Sequence, residues 1–324
     1  MRRTFVAIGM AIAALFATPL PSRADGPIGR TWDRDYFLND VAGDFLDFWA
    51  DTEGSKVDQR VRAFRDRFEP AHRKFMDAMV FSAVRREDFY ARLLPAFVAD
   101  LTFHPQRVDS LRRAKLLYQS AIPRLANRLQ TCFAPGELSL DRPFVLGLDF
   151  GGLAERIAPL DGRQTLWIGV SPDDDGAPVD LPIATDMFKL LRQDQVARRA
   201  HHPTVGVGYT AFLDGAAAYF AAEQVEGFTD REAIGYSRSD WVDALGNQRD
   251  IVYEVLLHFE SDDPTMLRRY TASDPGTKLL PPRAADFVGF QAMRRLRRSY
   301  SWDEIIHWDD DTVRARLDDA LAVI

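Results

Sequence analysis

Cysteine is almost missing from this 324-residue chain, where Cys132 stands alone. A single cysteine forms no internal disulfide, so packing rather than cross-linking has to hold the fold. Within Leu129–Phe133 it reads as a small buried hydrophobe. Histidine is also scarce, with six in all. His72 and His104 are isolated among charged or turn residues, and neither suggests a metal role. His201 and His202 are adjacent, so their side chains diverge by about 100° on a helix and cannot both reach one ion. If a metal binds at all, His202 with Asp214 is the pair to expect. Long apolar runs are missing beyond the N-terminus, and nothing after Ala17 approaches the ~20 residues that span a bilayer. No Ser/Gly/Pro-rich linker and no fixed-period repeat interrupts the chain, which excludes tandem arrays and favours one two-lobed unit. Positive charge is in deficit: 41 Lys and Arg against 48 Asp and Glu leave a formal −7. Such a surface disfavours nucleic acid or anionic lipid as the main partner.

The N-terminus is the exception to that charge. Arg2 and Arg3 precede an apolar stretch from Phe5 to Ala17, and Ser22-Arg23-Ala24 offers a small-x-small cleavage point before Asp25. Residues 1–24 therefore read as a secretory signal. No cysteine lies near the cleavage point, so neither a lipid anchor nor a membrane anchor is expected after processing. Removal of Arg2, Arg3 and Arg23, with no acid in the segment, would take the net charge from −7 to −10. A periplasmic or secreted bacterial protein is the expectation.

Residues 25–140 carry helical stripes. Phe45, Phe48 and Trp49 form one, Val57, Val61, Phe64 and Phe68 a second, and Met76, Met79, Val80 and Val84 a third. Leu111, Leu116, Ile122, Leu125 and Leu129 predict a longer helix broken near Pro123. The texture changes in 141–324. Arg142–Phe150 and Thr165–Val170 read as strands, and Asp161-Gly162 between them as a turn. Ser171–Val179 is an acidic loop. Its Asp173, Asp174 and Asp175 lack the glutamate an EF-hand needs and suggest a solvated turn rather than a Ca²⁺ site. Trp241–Phe259 reads as a helix, as does the segment opened by Pro281-Pro282. Arg294, Arg295, Arg297 and Arg298 there predict a solvated basic face paired with Asp303 and Glu304. Asp309–Val323 closes the chain as a short acidic helix.

The most informative stretch runs from Leu181 to Phe220. Pro182 opens a helix whose apolar face is Ile183, Met187, Phe188, Leu190 and Leu191, with Thr185, Asp186 and Lys189 among its polar positions. Further on, Asp214-Gly215-Ala-Ala-Ala-Tyr219 predicts a small-residue helix opened by Asp214-Gly215. This pair of segments resembles the core of zincin-like metallopeptidases of the DUF2268 family and gliding-motility lipoprotein type. In that family the first helix carries His-Glu-x-x-His, and a later Glu-Gly-x-Ala-x-Tyr helix supplies the third zinc ligand. The resemblance lays Thr185 and Lys189 on the two histidines, Asp186 on the general base and Asp214 on the third ligand. Asp286-Phe287 then falls on a Gly-Tyr pair, and Gly289 keeps a later glycine.

What the resemblance implies is a predominantly α fold with a small β-sheet, an α+β zincin-like scaffold with altered chemistry. Thr185 is a poor donor for zinc, and Lys189 would place an ammonium where a dication sits. Asp186 is shorter than glutamate by more than about 1 Å, a misplacement that can cost roughly 10²-fold. Phe287 has no hydroxyl to offer an oxyanion. No cofactor is expected, and Lys189 is expected to replace the metal between Asp186 and Asp214. The implied function is a non-catalytic pseudopeptidase whose cleft, marked by Thr185, Asp186, Lys189, Asp214 and Phe287, takes an extended peptide or an envelope protein. The alternative is a zinc peptidase using Asp186, Asp214 and a histidine.

Overall fold

The computed structural model describes residues 38–133, 144–150, 156–160, 162–198, 206–272 and 280–322. The expected signal segment, His201, His202 and Asp161 lie outside the described residues.

The protein is mainly helical around one small sheet of order β1-β2-β4-β3. β1 (Leu38–Asp40), β2 (Phe144–Leu148) and β4 (Arg163–Val170) run parallel, and β3 (Arg156–Leu160) returns antiparallel along β4. All of β2 is buried, as an inner parallel strand covered on both faces must be. Two strands had no sequence signal. β1 is three residues long, too short for alternation to show. β3 contains Pro159, which argues against a central strand and is tolerated because β3 is an edge. At Gly147 a Cβ would run into the indole of Trp167. The glycine lets that ring lie across the sheet and meet Phe75 edge-on at 5.2 Å.

The N-terminal lobe comprises α1 (Val41–Asp51), α2 (Val57–Ala63), the one-turn helices α3 (Glu69–Ala71), α4 (Arg73–Phe75) and α5 (Arg86–Asp88), then α6 (Leu94–Phe103) and α7 (Gln106–Gln130). Its core is aromatic: Phe45, Phe48, Phe64, Phe68, Phe89 and Phe150 are all buried. Many of their ring pairs are edge-on or tilted, such as Phe45–Phe68 at 5.9 Å and Phe89–Phe150 at 5.1 Å, the arrangements ring quadrupoles favour. The backbone between these helices widens into π turns at Phe64–Phe68, Met76–Val80 and Phe89–Leu93. The first and third are followed two residues on by Pro70 and Pro95. Proline has no N–H and crowds the carbonyl four residues back, so a widened turn relieves the clash. Helix α7 is not broken at Pro123 but runs through it, and Leu116 points outward at 57% exposure.

The second half packs α8 (Asp180–Arg198) against β4 and against α9 (Val207–Gln224). Then follow α10 (Asp230–Ile234), α11 (Arg238–Gly246), α12 (Gln248–Leu257), α13 (Pro264–Thr271), α14 (Ala284–Leu296), α15 (Trp302–Ile306) and α16 (Asp310–Leu321). The expected single helix over Trp241–Phe259 is split at Asn247, which caps α11 and starts α12. Helices α9 and α14 touch backbone to backbone. A Cβ on Gly215 would overlap Gly289, and one on Gly289 would overlap the carbonyl of Ala211. Beside them Arg192, with no exposure, donates to the carbonyls of Ile306 (2.8 Å) and Trp308 (2.5 Å), tying α8 to the C-terminal turn. The basic face of α14 is not paired with Asp303 and Glu304. Arg294 meets Asp230, Arg297 meets Glu223 and Arg295 donates to the carbonyl of Ala320. Glu304 is instead committed to the N-cap of α15, where it accepts from the Ser301 N–H. Among the described residues no helix is long and apolar enough to cross a membrane.

Candidate functional site

The site is built where α8, α9 and α14 converge. On α8 the Thr185 hydroxyl is turned back onto its own helix, donating to the Leu181 carbonyl at 3.0 Å. That bond ties Thr185 to its own helix. One residue on, Asp186 is buried at 8% exposure. One turn further, Lys189 reaches across to α9 and pairs with Asp214 at 2.5 Å, the two side chains keeping 24% and 21% exposure. Asp214 does not open its helix as expected. Helix α9 begins at Val207, so Asp214 projects from the middle of a rigid element.

Burial alone would lower the Lys189 ammonium, but Asp214, and behind it Asp186 and Asp286, outweigh burial and hold it above its ordinary pKa. Lys189 is thus a cation at neutral pH, neither a base nor a nucleophile. Its influence extends to Asp186 and Asp286 besides the acid it touches, so the expected contact of Lys189 with Asp214 is present and Asp286 is a neighbour the sequence did not suggest.

That neighbour is Asp286, on α14 and 2% exposed. Its Oδ2 accepts from Arg283 Nε at 2.7 Å and Nη2 at 2.5 Å. Its Oδ1 is buried with no hydrogen-bond partner. Burial, then the charge of Asp214, push Asp286 up to about 6, against the pull of Arg283 and Lys189. Three carboxylates therefore share two cations, and Asp286, the deepest of them, is the one whose proton affinity burial raises into the neutral range. Arg283 is held for this task in the left-handed region at φ 52°, the one non-glycine residue there among those described. Non-glycine residues hold that conformation only when their surroundings fix it. Here its N–H donates to the Ala272 carbonyl (2.9 Å) and its Nη1 to the Ile234 carbonyl (2.9 Å).

Phe287 is fully buried and lies parallel to the ring of Tyr236, centroids 6.1 Å apart and planes 11° from coplanar. It is an interior wall behind the charges rather than a surface facing a ligand. Tyr236 is pushed up by burial and by Asp286, and its hydroxyl donates to the Arg283 carbonyl at 3.4 Å. Sequence reasoning missed Asp286, Arg283 and Tyr236 as site residues. The i, i+3 spacing of Arg283 and Asp286 was a readable signal, whereas the left-handed arginine and the stacked tyrosine were not.

Other candidates fall elsewhere. His258 rests its ring against Tyr270 at 5.7 Å, and His72 is buried under Phe68, 3.6 Å from Asp44. The acidic loop is exposed at Asp173 and Asp175, as a solvated turn should be, and its acids also find surface partners. Asp173 pairs with Arg107 (2.9 Å), Asp175 with Arg113 (2.6 Å), and Asp174 accepts the Ser171 N–H (2.8 Å). Among the described residues no group of three or more His, Cys, Asp or Glu is placed to hold a metal ion. No known protein family, curated protein or solved structure matches this chain.

Proposed function

We propose that this chain is an exported zincin-like protein in which an internal ion pair replaces the metal, and that it binds an extended peptide or an envelope protein without cleaving it. The carrying observation is Lys189 at 2.5 Å from Asp214. Those are the positions the resemblance gives to a metal-binding histidine and to the third ligand. An ammonium held there fills the charge role of a dication and removes its chemistry. It polarises no water and offers no lone pair. The layout agrees: the helix bearing Lys189 packs on β4 of a mixed sheet whose outer strand, β3, is antiparallel. An edge strand of this kind is a surface to which an extended peptide adds by backbone pairing. Pro159 takes one donor out of that strand, so side-chain contacts would have to set the specificity.

Calorimetric Zn²⁺ titration tests the reading. The chelator-stripped protein should show no site tighter than about micromolar, roughly −8 kcal/mol. The double variant Thr185→His/Lys189→His should gain a one-to-one site that Asp214→Ala removes again. Tight zinc binding by the unaltered protein would overturn the replaced-metal reading. A double variant that stays folded and binds no zinc would overturn the placement of α8 as the former metal helix.

A further inference from the structure

The N-terminal lobe holds a second charged site, built on its π turns. Such turns are rare, well under 1% of residues, and they concentrate at functional sites. The first turn and the residue after it present Arg65 and Glu69, four residues apart. The third turn, with the helix before it, presents Arg86 and Tyr90 at the same spacing. The two pairs interlock. Glu69, 6% exposed, accepts from the Tyr90 hydroxyl and pairs with Arg86 Nη1 at 2.7 Å. The other terminal nitrogen of Arg86 is held by Asp77, on the second π turn, at 2.8 Å. Its guanidinium also lies over Phe81, 4.3 Å from the ring centre. Arg86 is therefore fixed from three sides.

Arg65 is placed differently. Its guanidinium lies over the Tyr90 ring at 4.3 Å and makes no hydrogen bond or ion pair with any described residue. Stacking fixes the plane of the group while its N–H edge stays available. Arg65, Glu69, Arg86, Glu87, Tyr90 and Ala91 line a groove of about 620 Å³. It combines an anchored guanidinium, a stacked one with idle donors, and a floor whose acid is already satisfied.

We infer that this groove binds a carboxylate, carried by a small organic acid or by the C-terminus of a peptide, with Arg65 as its main contact and Arg86 beside it. A stacked guanidinium offers two parallel N–H groups, which match the two oxygens of a carboxylate. The charges decide against a dianion. Arg86 is shared by Glu69 and Asp77, and Glu87 pairs with Arg85, so among the described residues Arg65 is the cation of this cluster with no acid against it and matches a single negative charge better than a dianion. The site is separate from the Lys189–Asp214 cluster and stands whether or not that cluster descends from a metal centre.

The test is calorimetric titration of the full chain with N-acetyl-trialanine, its C-terminal amide, sodium acetate and inorganic phosphate. The free acid should bind at least about tenfold more tightly than the amide. Arg65→Gln should lose that preference while melting at the same temperature, because Arg65 is exposed and holds no other side chain by a polar bond. Acetate binding as tightly as the peptide acid assigns the site to small acids, and a tighter peptide acid assigns it to peptide termini. Equal binding of acid and amide, phosphate binding above acetate, or an unchanged preference in Arg65→Gln would each overturn the inference.

Discussion

Glu69 and Asp286 are both carboxylates sealed from water, at 6% and 2% exposure, and they sit in very different company. Glu69 has a partner on each oxygen, a tyrosine hydroxyl and an arginine whose other terminal nitrogen is held by Asp77. Asp286 has both bonds on one oxygen and none on the other, and burial first, then the charge of Asp214, raise it to about 6. The depth is similar, and the donors and the like charges nearby differ. A buried acid with a full set of donors makes a rigid floor. One with a shared cation and an acid neighbour is left with a proton to exchange near neutral pH.

The largest expected effect concerns the frame around Asp286. Gly289→Ala drives a methyl into the backbone of α9 and should cost about 3 kcal/mol or more in urea unfolding. Next is removal of each site's central cation. Lys189→Met takes the partner from Asp214 and leaves three acids with Arg283 alone, and should cost on the order of 2–4 kcal/mol, most of it recovered in Lys189→Met/Asp214→Leu. Arg86→Met should cost less, about 1–2 kcal/mol, since Tyr90 still serves Glu69 and Arg86 is 44% exposed. Denaturation curves giving the reverse order would break the comparison.

A pH experiment sharpens it. The folded pKa of Asp286, about 6, lies above the ~3.9 of an unfolded aspartate. The folded state therefore binds the proton more tightly, and this group's contribution grows as pH falls from 7 through 6 towards 4. His72, lowered to about 4 by burial, acts oppositely: its contribution is present above about 6.5 and is lost as pH falls towards 4. The whole-protein curve mixes the two, so the difference between the protein and Asp286→Asn isolates the aspartate. That difference should change by on the order of 2 kcal/mol between pH 7 and pH 4.5, in the direction stated. The smallest effect is expected at Thr185→Val, less than about 1 kcal/mol in thermal unfolding, because its hydroxyl bonds only its own helix.

Much of this architecture was written in local patterns. The apolar stripes of α1, α2, α7, α8 and α16, the buried strands β2 and β4, and the reach of Lys189 to Asp214 all follow from spacing along one or two elements. What escaped depends on pairings distant in sequence. β1 becomes a strand because β2 lies beside it. Pro159 hides β3 until its place at the edge is known. The π turns follow from prolines that also suit ordinary helix starts. Asp286 joins the charged cluster only because Gly215 and Gly289 let α9 and α14 approach without side chains between them. Arg294 and Arg297 found acids on α10 and α9 rather than the nearer Asp303 and Glu304, which no reading along the chain ranks.

The pairing of β1 with β2 also sets a timetable. Leu38 lies beside Phe144, so roughly a hundred residues must emerge after β1 into the compartment where the chain folds before its neighbour exists. A chain made from its N-terminus can gather the phenylalanine core of α1 to α7 early, yet the strand that starts it has no backbone partner in the sheet until β2 arrives. For that interval the nascent lobe exposes an open strand beside an aromatic cluster, the combination most prone to mispairing between neighbouring chains. Like charges on the surface of α2 to α7 would oppose such contacts, so stripping charge from that lobe should lower the yield of folded protein well before it lowers the melting temperature.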